Sequence, residues 1–108
     1  MKKLLKGTSA NNGRSEGTAR VVTKEEDYAD FRDGEILVVR TTDPTMTIIM
    51  NKASGIICDI GGTTSHPAII SRELGIPCIV NTKTGTKIIK TGSKIYLDAT
   101  KGDVYAVD

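Results

Sequence analysis

Five short segments of alternating character run through the middle of the chain, and this alternation limits the possible folds more than any other feature. Residues 35–40 hold the run Ile36-Leu37-Val38-Val39. Such a continuous, mostly β-branched run predicts a strand buried on both faces. Pro44 opens a helical segment, with Asp43 or Thr42 near its cap. Met46, Ile49, Met50 and Ala53 then fall on one helical face, and Gly55 ends it. Ile56-Ile57-Cys58 predicts a second strand, closed by Asp59-Ile60 and broken by Gly61-Gly62. Residues 67–74 follow as a helix, with Ile70 and Leu74 one turn apart and Gly75 as its stop. Residues 76–80 form a third strand, whose Pro77 keeps its first residues out of a central ladder. The order strand, helix, strand, helix, strand favours parallel pairing through right-handed crossovers.

The flanks carry weaker signals. Residues 7–17 are polar with three glycines and predict a turn-rich loop leading into a strand at 19–22. Residues 24–31, with Tyr28 and Phe31 three apart, predict a short surface helix, and Asp33-Gly34 a turn. Strands are expected at 87–89, 94–97 and 104–107, with turns at Thr91-Gly92 and Lys101-Gly102. These flanking strands lie close enough in sequence to pair as antiparallel hairpins. The sum is an α/β domain with a mixed or split sheet, not a doubly wound nucleotide fold. At 108 residues, with 38% hydrophobic and 26% charged, the chain 1–108 is one globular domain.

Several classes of function are poorly served by this composition. A formal charge of +2 is too small a surplus to imply a polyanion, and the four aromatics are scattered, so no nucleic-acid platform is indicated. The apolar runs are too short to span a membrane, and the basic start has no apolar segment behind it to make a signal peptide. Cys58 and Cys78 each sit inside an apolar run and read as reduced, buried thiols of a cytoplasmic protein. With one histidine, a His/Cys zinc site lacks its usual ligands, and no metal is expected in this chain.

The stretch from Gly61 to Glu73, Gly-Gly-Thr-Thr-Ser-His-Pro-Ala-Ile-Ile-Ser-Arg-Glu, holds that histidine between a strand and a helix. Ligands of α/β sheets gather at such junctions. Gly61 and Gly62 permit a sharp turn and close approach to the main chain. Thr63, Thr64 and Ser65 add three hydroxyls. The helix start adds free amides and a positive dipole end, which suit an anion. His66 stands at that start, and Pro67 pushes its backbone toward an extended conformation. A neutral imidazole there keeps a lone pair for attack, and histidine can carry a covalent intermediate. The natural anion is a phosphoryl group, so the residues point to a phosphorylatable histidine.

Plainer roles stand beside this one. A lone histidine near a helix start also serves as a cap or a surface hydrogen-bonding group, and the hydroxyls as turn residues. Arg72, about one and a half turns from His66, has the length to reach a phosphate or to pair with a carboxylate on a solvated face. The spacing matches no P-loop, dinucleotide fingerprint or nucleophile elbow.

The stretch from Gly61 through Val80 closely resembles the phosphohistidine signature of the phosphoenolpyruvate-utilising enzymes. These include pyruvate phosphate dikinase, phosphoenolpyruvate synthase and enzyme I of the sugar phosphotransferase system. The resemblance extends to residues 7–22, to the Gly34–Val39 run with Thr42-Asp43-Pro44, and to residues 98–104. It implies a swivelling β/β/α domain that takes a phosphoryl group onto its histidine at one site and delivers it at another. By this resemblance His66 is the phosphorylated nucleophile. Thr64 matches a threonine that is a regulatory phosphorylation target in plant dikinases. Gly61, Gly62, Thr64, Ser65 and Arg72 match positions that shape or support the phosphate pocket. Two departures stand out. Pro67 replaces a small residue such as alanine and removes one amide donor. Asn81-Thr82 stands where glycine is common.

Phosphoryl transfer needs charge neutralisation by Mg²⁺ and cationic groups, and in-line positioning. A chain of 108 residues has room for neither a nucleotide-binding segment nor a phosphoenolpyruvate- or pyruvate-binding barrel. The expected partners are therefore ATP-binding and phosphoenolpyruvate/pyruvate-binding domains or proteins, with Mg²⁺ at their sites and no cofactor here. The chain reads as a stand-alone carrier or a piece of a longer enzyme, the former preferred. A regulatory or interaction module that keeps the fold without the chemistry is the alternative, and a small anion-binding protein a third.

Overall fold

The computed structural model describes residues 1–107. Its framework is a run of three parallel strands, β4 (Ile36–Val39), β5 (Gly55–Cys58) and β6 (Cys78–Val80), joined to the second half of β3 (Arg14–Val22). Helix α1 (Thr47–Lys52), entered through a 3-10 turn at Pro44–Met46, connects β4 to β5. Helix α2 (His66–Leu74) connects β5 to β6. The crossovers expected from the alternating segments are present, and they place both helices on one face of the sheet.

The rest is antiparallel. Strands β7 (Lys94–Asp98) and β8 (Asp103–Ala106) form a hairpin, β1 (Lys2–Lys6) adds to β8, and β2 (Thr8–Asn11) closes the far edge against β6. The strand order is β1-β8-β7-β3-β4-β5-β6-β2. Strand β3 belongs to both halves: Arg14 to Thr18 pair with β7, and Ala19 to Val22 pair with β4. This change of partner splits the sheet into two layers, with the helices as a third.

The apolar runs serve two cores at once. Leu37, Val39, Ile56, Cys58, Cys78 and Val80 pack toward the helices with Met46, Ile49, Met50 and Ala68. Their neighbours Ile36, Val38, Ile57 and Ile79 pack between the sheets with Ala19, Ile95, Leu97 and Val104. Alternate side chains of a strand point to opposite faces, so a strand between two cores must be apolar throughout. That is the reason the central runs are continuous.

Three expectations at the flanks need correction. Residues 7–17 are not a loop but β2 and the start of β3; only Ala10 of β2 is buried, so its pairing rests on main-chain bonds. Residues 2–6, given no strand, form β1, a lysine-rich edge. Residues 87–89 are not a strand but the end of helix α3 (Gly85–Ile88) and its cap. The Asp59 carboxylate there accepts from the Thr86 amide and hydroxyl and bends the chain into a turn. Residues 24–31 do form a short helix, of the 3-10 type, at Glu25–Asp30.

At the N-terminal end of β4, Glu35 is buried and takes a two-pronged ion pair from Arg20, with Nε at 3.0 Å and Nη2 at 2.9 Å. Burial pushes the Glu35 carboxyl up, but the Arg20 bonds, the Arg32 amide and both cationic charges outweigh it and hold it below the usual value. A depressed carboxylate stabilises the fold above its unfolded pKa and loses that contribution as pH falls through the folded one. Acid titration of unfolding free energy is therefore expected to decline below about pH 4. Glu35→Gln should lower neutral-pH stability by about 1–2 kcal/mol and remove this part of the decline.

Candidate functional site

The site lies beyond the C-terminal ends of β4 and β5. The two strands keep company past their ladders, with the Asp59 amide on the Val39 carbonyl and the Ile60 amide on the Arg40 carbonyl. The chain then turns sharply at Gly61, whose φ of +125° excludes ordinary side chains and whose position leaves 2.9 Å between an added Cβ and Ser65 Oγ. The Gly62 carbonyl accepts from both the amide and the hydroxyl of Ser65, at 3.1 and 2.7 Å. Ser65 is extended (φ −73°, ψ 165°) and caps α2 by position but spends its side chain on the turn.

The first amide bond onto the helix start is Ile69 to the Ser65 carbonyl, at 3.0 Å. It draws His66 into the helix, one residue earlier than expected, against the extended preference of a residue before proline. Among the described residues, the amides of Gly62, Thr63, Thr64 and His66 donate to no protein acceptor. These free donors precede or open the helix at its positive end, a setting suited to a phosphate. Pro67, buried at the second helical position, withholds one further donor.

The imidazole is half-buried, and its Nδ1 lies 2.7 Å from the hydroxyl of Thr42, itself buried. No buried side-chain nitrogen or oxygen lacks a partner among the described residues, and Nε2 has no protein partner, so Nε2 opens to solvent. Thr42 is the residue that sequence reasoning placed only as a helix cap. Asp43 does that work instead, accepting from the Thr45 amide at 2.8 Å, which frees Thr42 to hold the ring. Bonds from the Thr45 hydroxyl and amide hold the Asp43 carboxyl below its usual value.

The other expected residues divide. Gly61, Gly62, Thr64 and Ser65 share the turn with His66, Thr63 and Thr64 being exposed. Arg72 sits about 600° around the helix from His66, roughly 120° off its face. Its Nε donates to the Ala10 carbonyl of the edge strand at 2.9 Å, and Asn11 of the same strand donates to the Ser71 and Ile76 carbonyls. Arg72 thus straps α2 to β2, and no contact brings it to the imidazole. Burial holds the Cys58 thiol well above its usual range and pushes the Cys78 thiol up to about 11, so neither offers a thiolate beneath the helix. Among the described residues no group of three or more His, Cys, Asp or Glu is placed to hold a metal, and no helix is long and apolar enough to cross a membrane.

A split β-sheet layered under helices, with one histidine displayed on a glycine turn, defines an α/β domain of the swivelling β/β/α kind. The family model of the PEP-utilising enzyme mobile domain matches residues 31–102, and the chain belongs to that family. It is 45% identical over 102 residues to phosphoenolpyruvate synthase of Pyrococcus furiosus, covering 94% of this chain and 12% of that protein. It is 43% identical over 102 residues to the probable phosphoenolpyruvate synthase of Archaeoglobus fulgidus, covering 94% of this chain and 14% of that protein. The NMR solution structure of Enzyme I (nEIt) superposes with a TM-score of 0.63 at 31% identity, over 73% of this chain and 33% of that one. The chain therefore spans a small part of the length of the relatives it matches.

The second departure from the family resemblance falls in a turn. Asn81 occupies the left-handed region at φ +58°, where glycine is most at ease and asparagine is tolerated. The Asn-for-glycine difference after β6 thus keeps the turn.

Proposed function

We propose that this chain is a phosphoryl carrier, phosphorylated transiently on Nε2 of His66. It relays the group between an ATP or phosphoenolpyruvate site and an acceptor site on partner domains or proteins. The observation that carries the proposal is the Thr42–His66 bond. When the Thr42 oxygen accepts from Nδ1–H, the lone pair lies on Nε2, the nitrogen open to solvent, and this is the tautomer the carrier reading uses. In the loading step that lone pair attacks phosphorus, an N–P bond forms, and the bond from phosphorus to the donor oxygen breaks. The donor leaves with the electron pair, as ADP or enolpyruvate. In the unloading step an acceptor oxygen attacks, the N–P bond breaks and its electrons return to Nε2. The proton stays on Nδ1 throughout, donated to the Thr42 oxygen, and the free amides of residues 62–64 and 66 receive the phosphoryl oxygens. Mg²⁺ belongs to the partner sites in this scheme.

Incubation with phosphoenolpyruvate or ATP, Mg²⁺ and a candidate partner should add about 80 Da in an acid-labile, alkali-stable form, one phosphoryl group. The label should vanish in His66→Ala; a label that persists there sinks the assignment. A second substitution tests the amide cradle. A Cβ added at Gly62 meets nothing within 4 Å. Gly62→Ala should therefore change stability by less than about 1 kcal/mol. It should slow labelling about tenfold if a phosphate must approach that main chain closely. Unchanged labelling would move the phosphate elsewhere.

A further inference from the structure

A cavity of about 310 Å³ opens beyond the C-terminal ends of β3 and β4, where Arg40, Thr41 and Asp43 line it from the loop that carries Thr42. Ligands of open α/β sheets gather past the carboxyl ends of parallel strands. Its apolar lining is Val22 and Val39, paired in register as the last residues of their strands, with Met46; all three are buried. Each strand is followed by a 3-10 segment that contributes a wall, Glu25–Asp30 with Tyr28 and Pro44–Met46 with its cap Asp43. The Tyr28 and Thr45 hydroxyls meet at 3.3 Å and join the two segments, so the cavity is largely pre-formed.

The charged side chains of the lining are not equally free. The Asp43 carboxylate is spent on the Thr45 amide, at 2.8 Å. Among the described residues the cations in ion pairs are Lys3, Lys6, Arg14 and Arg20, and their partners are Asp103, Asp98 and Glu35. Lys24, Arg40 and Glu25 therefore line the cavity unpaired. Two unspent cations against one unspent carboxylate leave a small positive surplus over an apolar recess. That combination suits a molecule with one anionic head and an apolar body, since a guanidinium takes a carboxylate on two prongs. A polyphosphate would meet too little positive charge and leave the apolar lining uncovered.

We infer that this cavity binds a small apolar carboxylate, its head on Arg40 and Lys24 and its body against Val22, Val39 and Met46. The volume stands at the low end for ligand pockets and suits a single-ring molecule. The inference is independent of the carrier reading, because neither His66 nor the turn of residues 61–65 lines the cavity.

The probe is 3-phenylpropionate, titrated into the ¹⁵N-labelled full chain and followed by NMR. It should shift the amide signals of residues 22–25 and 40–43 saturably, with a Kd below about 5 mM. Its neutral amide, which keeps the body, and propionate, which keeps the head, should each bind about tenfold more weakly or worse. Arg40→Gln and Lys24→Gln alter exposed side chains and should leave the fold intact. Each should raise the Kd for 3-phenylpropionate about tenfold. Shifts that never saturate, or that saturate only outside those two segments, overturn the site. Equal affinity for the neutral amide, or an unchanged Kd in both glutamine variants, overturns the carboxylate as the recognised head. Phosphoenolpyruvate or tripolyphosphate binding the same residues more tightly than 3-phenylpropionate overturns the apolar body as a requirement.

Discussion

Thr42→Val leaves the domain folded and slows phosphorylation of His66 by about ten- to a hundredfold, the cost of one orienting hydrogen bond. Valine copies the shape of threonine and removes only the hydroxyl, so the buried position stays filled. What disappears is the single partner of Nδ1, 2.7 Å away. The ring then rotates and exchanges tautomers freely, and a smaller fraction presents a lone pair at Nε2. Thr42→Ser, which restores the oxygen, should recover most of the rate. The measurement is the single-turnover rate of label appearance. A wild-type rate in Thr42→Val would mean that the hydroxyl contributes packing alone.

The largest expected loss of stability is at Gly102, with Gly102→Ala costing about 3–4 kcal/mol. Two penalties coincide there. Gly102 has φ +78°, a left-handed conformation that alanine resists. A Cβ at the same place would stand 2.4 Å from the Gly7 carbonyl oxygen, a main-chain atom with nowhere to go. Relief would require breaking the bond from the Gly7 amide to the Gly102 carbonyl, 2.8 Å long, which ties the corner between β1 and β2 to the β7–β8 hairpin. Urea unfolding monitored by circular dichroism should show a midpoint lowered without a change in the slope. Labelling of His66 under conditions where the variant is folded should be unaffected, since neither Gly7 nor Gly102 bonds to a residue of the Gly61–His66 turn. A loss under about 1 kcal/mol would show that the hairpin shifts readily.

The legible part of this protein was the part governed by local periodicity and by residues of unusual conformation. The runs at residues 36–39, 56–58 and 78–80 could bury both faces only as central strands, and their spacing around two helices dictated parallel crossovers. The glycine pair before Thr63 could only be a turn, so the one histidine had to stand where a strand yields to a helix. Those local facts placed Gly61, Gly62, Ser65 and His66 together, and they supported the family resemblance.

Contacts between distant segments were a different matter. Strands β1 and β2 have few apolar residues and are strands because β8 and β6 offer them main-chain partners, a reason invisible in their own sequence. Residues 87–89 follow a helix because Asp59, far away in the chain, bonds Thr86. Arg72 has the length to reach a phosphate, yet the edge strand beside it takes its guanidinium. Above all, Thr42 became part of the site only when β4 and β5 paired in register and set their following loops side by side. Sequence by itself determined the strand–turn–helix that displays His66, because dihedral limits and hydrophobic alternation act over a few residues. Only the tertiary structure decided which nitrogen of that ring is held and which is open, because that depends on a hydroxyl brought from 24 residues away.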